Sequence, residues 1–125
     1  MFHKIVATVL FARNLDTCIT FYRDTLGLEM LERDAHSATF KLESLYFIVL
    51  DASEAANLIG QEVHLGGGPR GLLAAAVQDV DAAYASLTAR GAAFLRPPTD
   101  QPWGLRTAHF ADPEGNLWEI NQPVA

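Results

Sequence analysis

Apolar residues recur along this chain with two periods, and the changes of period divide it into elements. Residues 5–12 (IVATVLFA) are apolar at nearly every position and predict a first strand covered on both faces. From Asn14, a good N-cap, the period lengthens. Leu15, Cys18, Ile19, Tyr22 and Leu26 then fall on one helical face, and Gly27 closes the segment. Three short strands are expected next, at about 29–33, 38–42 and 46–51, before a flexible connector over 60–71 that contains Gly66-Gly67-Gly68-Pro69. The pattern then restarts: a strand over 72–77, Asp79 as N-cap, a helical stripe of Val80, Ala83, Tyr84 and Leu87, and Gly91 as its end. A short strand at 93–95 is followed by a Pro97-Pro98 break. Both halves run strand, helix, short strands, so internal duplication is the economical explanation. A helix on one face of such a sheet leaves the other face as a concave groove, a partner contact or both.

The stretch 103–121 (WGLRTAHFADPEGNLWEIN) reads as one hairpin, with Asp112-Pro-Glu-Gly-Asn116 supplying the turn. If Asp112 faces Asn116, then Phe110 faces Trp118 and His109 faces Glu119. An aromatic pair then lies on one face of the sheet and a His/carboxylate pair on the other. A four-residue loop would shift the pairing by one and separate His109 from Glu119.

The chain has 125 residues, half of them hydrophobic, which suffices for one domain with a real core. Fifteen acidic against nine basic residues, without a Lys/Arg cluster, argue against nucleic acid or an anionic membrane as partner. Apolar runs such as 45–50 and 72–77 are strand-length, far short of a membrane span. Cys18 has no second cysteine to pair with, and its place in the helical stripe reads as buried packing. The N-terminal residues lack the pattern of a secretory signal, so a cytoplasmic protein is expected.

Three stretches resemble the vicinal oxygen chelate superfamily, the glyoxalase, bleomycin-resistance and extradiol-dioxygenase group. They are Leu15-Asp16 with Phe21-Tyr-Arg-Asp-Thr-Leu-Gly-Leu28, Val77-Gln-Asp-Val-Asp-Ala-Ala-Tyr84, and Trp103-Gly-Leu-Arg106 through Asp112-Pro-Glu-Gly-Asn116 to Glu119. The resemblance implies an α+β fold of two tandem βαβββ modules, their strands curled as a mixed sheet around a groove with helices outside. It divides the single domain into module one at about 1–59 and module two at about 72–125, and it implies a homodimer. In the metal enzymes of the group the ligands come from the first and last strands of each module. The corresponding positions here are Ala7, Val49 or Phe47, Leu72 and Glu119, and Glu119 alone can bind a metal. No metal and no cofactor are therefore expected.

Fold does not fix chemistry. One hypothesis is a metal-free binding protein resembling the bleomycin-resistance branch, which sequesters an aromatic or heterocyclic ligand. Its candidate ligand-binding residues are Phe11, Phe47, Val49, Leu72, Trp103, His109 and Glu119. The alternative is a glyoxalase-like lyase or isomerase using His109 and Glu119, with or without a divalent metal. A third is a dimerisation or ligand-sensing domain without chemistry. His109 beside Glu119 suits two metal ligands, a general-base pair or a hydrogen-bonded couple. His3, His36 and His64 read as surface residues.

Overall fold

The computed structural model describes residues 1–124. The chain forms two compact units that divide between Leu65 and Gly66, inside the expected connector. The first holds β1 (Ala7–Ala12), α1 (Leu15–Thr20), β2 (Met30–Arg33), β3 (Ser37–Lys41), β4 (Tyr46–Asp51) and α2 (Ala52–Ile59). Its sheet has the order β1-β4-β3-β2, with β1 parallel to β4 and the other pairs antiparallel. The second holds β5 (Leu72–Ala76), α3 (Val80–Ala89), β6 (Ala93–Asp100), β7 (Leu105–Ala111) and β8 (Leu117–Pro123), in the equivalent order β5-β8-β7-β6. These are two βαβββ modules of an α+β protein.

Both expected caps are present. The Asn14 side chain accepts from Thr17 N at 3.1 Å, and Asp79 Oδ1 accepts from Ala82 N at 3.0 Å. After Thr20 the first helix widens into a π-helical turn, Phe21–Thr25, closed by Leu26 N donating to Phe21 O before Gly27 turns the chain at φ 73°. The stripe does face the core: Cys18, Ile19 and Tyr22 are buried, and the Tyr22 ring lies 4.6 Å from Phe47 and 6.1 Å from Phe40.

Three expectations are corrected. The first strand is not covered on both faces, because Val9, which pairs with Ile48, is exposed. Residues 52–59, read as no element, form α2, whose last turn ends at Gly60 in the left-handed region, φ 79°. Pro97-Pro98 does not break the chain: β6 continues to Asp100, with register shifts between Phe94 and Arg96 and between Arg96 and Thr99. As the outermost strand of its sheet, β6 tolerates prolines that donate to no neighbour.

Charge ties the second module's helix to its sheet. Arg106 donates from Nε and Nη2 to both Asp81 oxygens at 3.0 and 2.9 Å, and from Nη1 to Asp100 at 2.9 Å. The Arg106 hydrogen bonds hold the Asp81 carboxyl below its ordinary range. A lowered carboxylate stabilises the fold above its ordinary pKa, and the contribution is lost as pH falls through the lowered value. Asp81→Asn is therefore expected to be less stable than the parent at neutral pH. The gap in urea midpoint should close as pH drops below about 4. A gap independent of pH would contradict this account.

Candidate functional site

The hairpin pairs as Ala111–Leu117, Phe110–Trp118 and His109–Glu119. Its turn explains why. Asp112 N donates to Asn116 O, while Asp112 Oδ1 accepts from Glu114 N at 2.9 Å and Asn116 N at 2.8 Å. Gly115, at φ 87°, completes a three-residue loop that one side chain has wired together. Alternation then sends Phe110 and Trp118 to the α3 side, where their rings stack at 5° and 6.3 Å. It sends His109 and Glu119 to the helix-free face.

On that face His109 Nε2 lies 2.9 Å from Glu119 Oε1, and Asn121 Nδ2 donates to Glu119 Oε2 at 2.8 Å. Both oxygens of the carboxylate are thus engaged, and the two side chains are only 24% and 15% exposed. One step along the ladder, Thr107 pairs with Asn121, and the buried Thr107 Oγ1 accepts from Gln101 Nε2 at 3.0 Å. A polar row therefore runs Gln101, Thr107, Asn121, Glu119, His109. Sequence reasoning found only its last two members. The signal for Thr107 and Asn121 was the i, i+2 spacing of Thr107 with His109 and of Glu119 with Asn121; Gln101, in the loop, carried none.

Trp103 is 68% exposed in the β6–β7 loop. Gln101 N donates to Leu105 O and Gly104 N to Gln101 O, so the loop is closed on itself, and the Gln101 side chain ties it to the polar row. Leu105 and His109 are four residues apart, roughly 13 Å at strand rise. The tryptophan thus stands toward one end of the row and the His–Glu pair toward the other. Ala74 is the direct ladder neighbour of Glu119, and Arg96 on β6 is that of His109. Leu72, 47% exposed, is two residues from Ala74 and shares its face.

In the first module, Phe11 lies on the helix-free face, paired with Leu50. The expected placement of Phe47 and Val49 on a groove is corrected. Phe47 is 0% and Val49 1% exposed, both on the side of β4 that meets α1 and the Tyr22 ring. Ile48 occupies the helix-free position between them. Superposing the modules by their aromatic pairs, Phe40–Phe47 on Phe110–Trp118, sets Thr39 and Ile48 where the second module has His109 and Glu119.

The donor set does not fit a divalent ion. Ala7, Ile48 and Leu72 have no ligand atom, leaving one imidazole and one carboxylate already bonded to each other. Among the described residues no three His, Cys, Asp or Glu side chains converge on one point.

Comparison with known proteins agrees with this architecture. The profile of the Glyoxalase/Bleomycin resistance protein/Dioxygenase superfamily matches residues 4–120. The uncharacterized protein YraH of Bacillus subtilis (strain 168) is 32% identical over 123 residues, covering 94% of this chain and 96% of YraH. A glyoxalase/bleomycin resistance protein/dioxygenase from Nocardioides superposes with a TM-score of 0.89 at 26% identity, over 99% of this chain and 85% of that one. A lactoylglutathione lyase from Agrobacterium tumefaciens does so with a TM-score of 0.77 at 27% identity, over 94% and 92%. With the two βαβββ modules, the turn motif and the matched profile in agreement, this chain belongs to the glyoxalase/bleomycin resistance protein/dioxygenase superfamily.

Proposed function

We propose that this protein is a metal-free small-molecule binding protein that sequesters a planar aromatic or heterocyclic compound, preferably cationic, along the polar row of its second module. The observation that carries this reading is the Glu119 carboxylate, bonded on both oxygens by His109 and Asn121 and flanked by Ala74, with no third His, Cys, Asp or Glu side chain beside it among the described residues. A largely enclosed carboxylate beside Ala74 favours a ligand cation, and the exposed Trp103 offers a stacking face.

Calorimetric titration with 9-aminoacridine, a planar cation, and with neutral acridine tests the reading. Trp103→Ala should weaken both by about thirtyfold, the loss of about 2 kcal/mol common for an aromatic anchor. Glu119→Gln should weaken the cation selectively. Unchanged affinities in both variants would refute the assignment.

The second reading is a glyoxalase-like lyase or isomerase. It is favoured by the 2.9 Å His109–Glu119 contact, which is also how a carboxylate orients a general base, and by the likeness to the A. tumefaciens lyase. A compound recovered chemically altered in catalytic amounts selects that reading.

The active assembly in this proposal is a homodimer, since large apolar side chains such as Val9 and Leu72 are exposed in the single chain. Sedimentation at micromolar concentration should show twice 13.6 kDa, and the 13.6 kDa species alone would refute it.

A further inference from the structure

The first module carries a cavity of about 430 Å³ at the end of its sheet, beside the turn that joins β3 to β4. That volume lies within the range of small-molecule sites. Register shows how it is built. Lys41 and Tyr46 are ladder partners, Tyr46 also pairs with Ala7 on β1, and Tyr46 N donates to Val6 O at 3.0 Å. Alternation on β4 puts Tyr46 on the helix-free face, because its neighbour Phe47 is buried against Tyr22. Leu31, at the irregular step between Met30 and Glu32, forms part of the apolar wall.

The charge of the lining is unusual for this chain. In a protein of net charge -6, the cavity holds two lysines, Lys4 and Lys41, against one carboxylate, Glu43. Among the described residues neither lysine has a carboxylate within ion-pair distance. Two ammonium groups against one carboxylate, beside the apolar side chains of Val6, Leu31, Leu42, Leu45 and Tyr46, suit a ligand of opposite design, an apolar body ending in one anionic group. We propose that this cavity is a binding site for a small organic acid, its carboxylate between Lys4 and Lys41 and its ring against Leu31 and Tyr46. The site belongs to the first module and takes a class of ligand opposite in charge to that of the Glu119 row.

The test uses 2-naphthoate and its neutral counterpart 2-naphthalenemethanol, titrated by calorimetry into the intact protein at low ionic strength. The acid should bind saturably, and the alcohol about tenfold more weakly. Lys4→Gln and Lys41→Gln, both at exposed positions that leave folding intact, should each lower affinity for the acid about three- to fivefold. The double variant should bind acid and alcohol alike, while Glu119→Gln should change neither. Equal binding of acid and alcohol to the parent, unchanged affinity in the double variant, or loss of naphthoate binding in Glu119→Gln would each overturn the proposal. Only the last of these would implicate the Glu119 row, so this site and the proposed function fail separately.

Discussion

Phe110→Ala should destabilise the protein by about 3 to 5 kcal/mol, the cost of removing a buried aromatic ring. Phe110 is 1% exposed, stacked on Trp118, and its ring centroid is 5.2 Å from Phe94, which in turn meets Tyr84 of α3 at 4.6 Å. The ring therefore sits at the centre of a four-aromatic chain joining helix to hairpin. Since an ordinary domain has only about 5 to 15 kcal/mol in reserve, the loss should appear as a large fall in the urea midpoint. A midpoint close to the parent's would mean that the hairpin faces are reversed, and that His109 and Glu119 point toward α3.

A loss of similar size, about 3 to 5 kcal/mol, is expected for Phe47→Ala. It separates two accounts of one residue. A groove-lining Phe47 would lose ligand affinity and keep its stability. The structure instead encloses the ring between Tyr22 at 4.6 Å and Phe40 at 6.1 Å. Truncation should thus leave a cavity in the first module's core, whereas Phe47→Leu, which keeps most of the volume, should cost less than about 1.5 kcal/mol. A Phe47→Ala variant as stable as the parent would restore the groove reading.

The contrast between these residues shows what could be read from the chain. The second module's hairpin was legible because Asp112 and Gly115 fix the loop length, and loop length fixes register; two aromatics then had to lie on one face and His109 with Glu119 on the other. Strand β4 was not legible in the same way. Its Tyr-Phe-Ile-Val-Leu run is apolar at every position, so period-2 alternation has no phase, and the face of Phe47 and Val49 depends on where Tyr22 arrives from α1. Helix α2 was overlooked because it follows β4 directly at Asp51, with no side-chain cap hydrogen bond to mark its start, although Gly60 marks its end. Prolines at 97 and 98 were read as a break because sequence does not say that β6 is an edge strand. Of the polar row, Asn121 and Thr107 escaped notice because each becomes meaningful only through a cross-strand partner.

The central claim, binding without metal through the Glu119 row, is tested most directly by titrating protein freed of metal with a strong chelator, after elemental analysis has shown that none remains. The account predicts that 9-aminoacridine binds this protein as tightly as the untreated one, that added Ni²⁺, Zn²⁺, Fe²⁺ or Mn²⁺ leaves the affinity unchanged, and that the compound is recovered intact. Binding that vanishes with the metal and returns with its addition would contradict it.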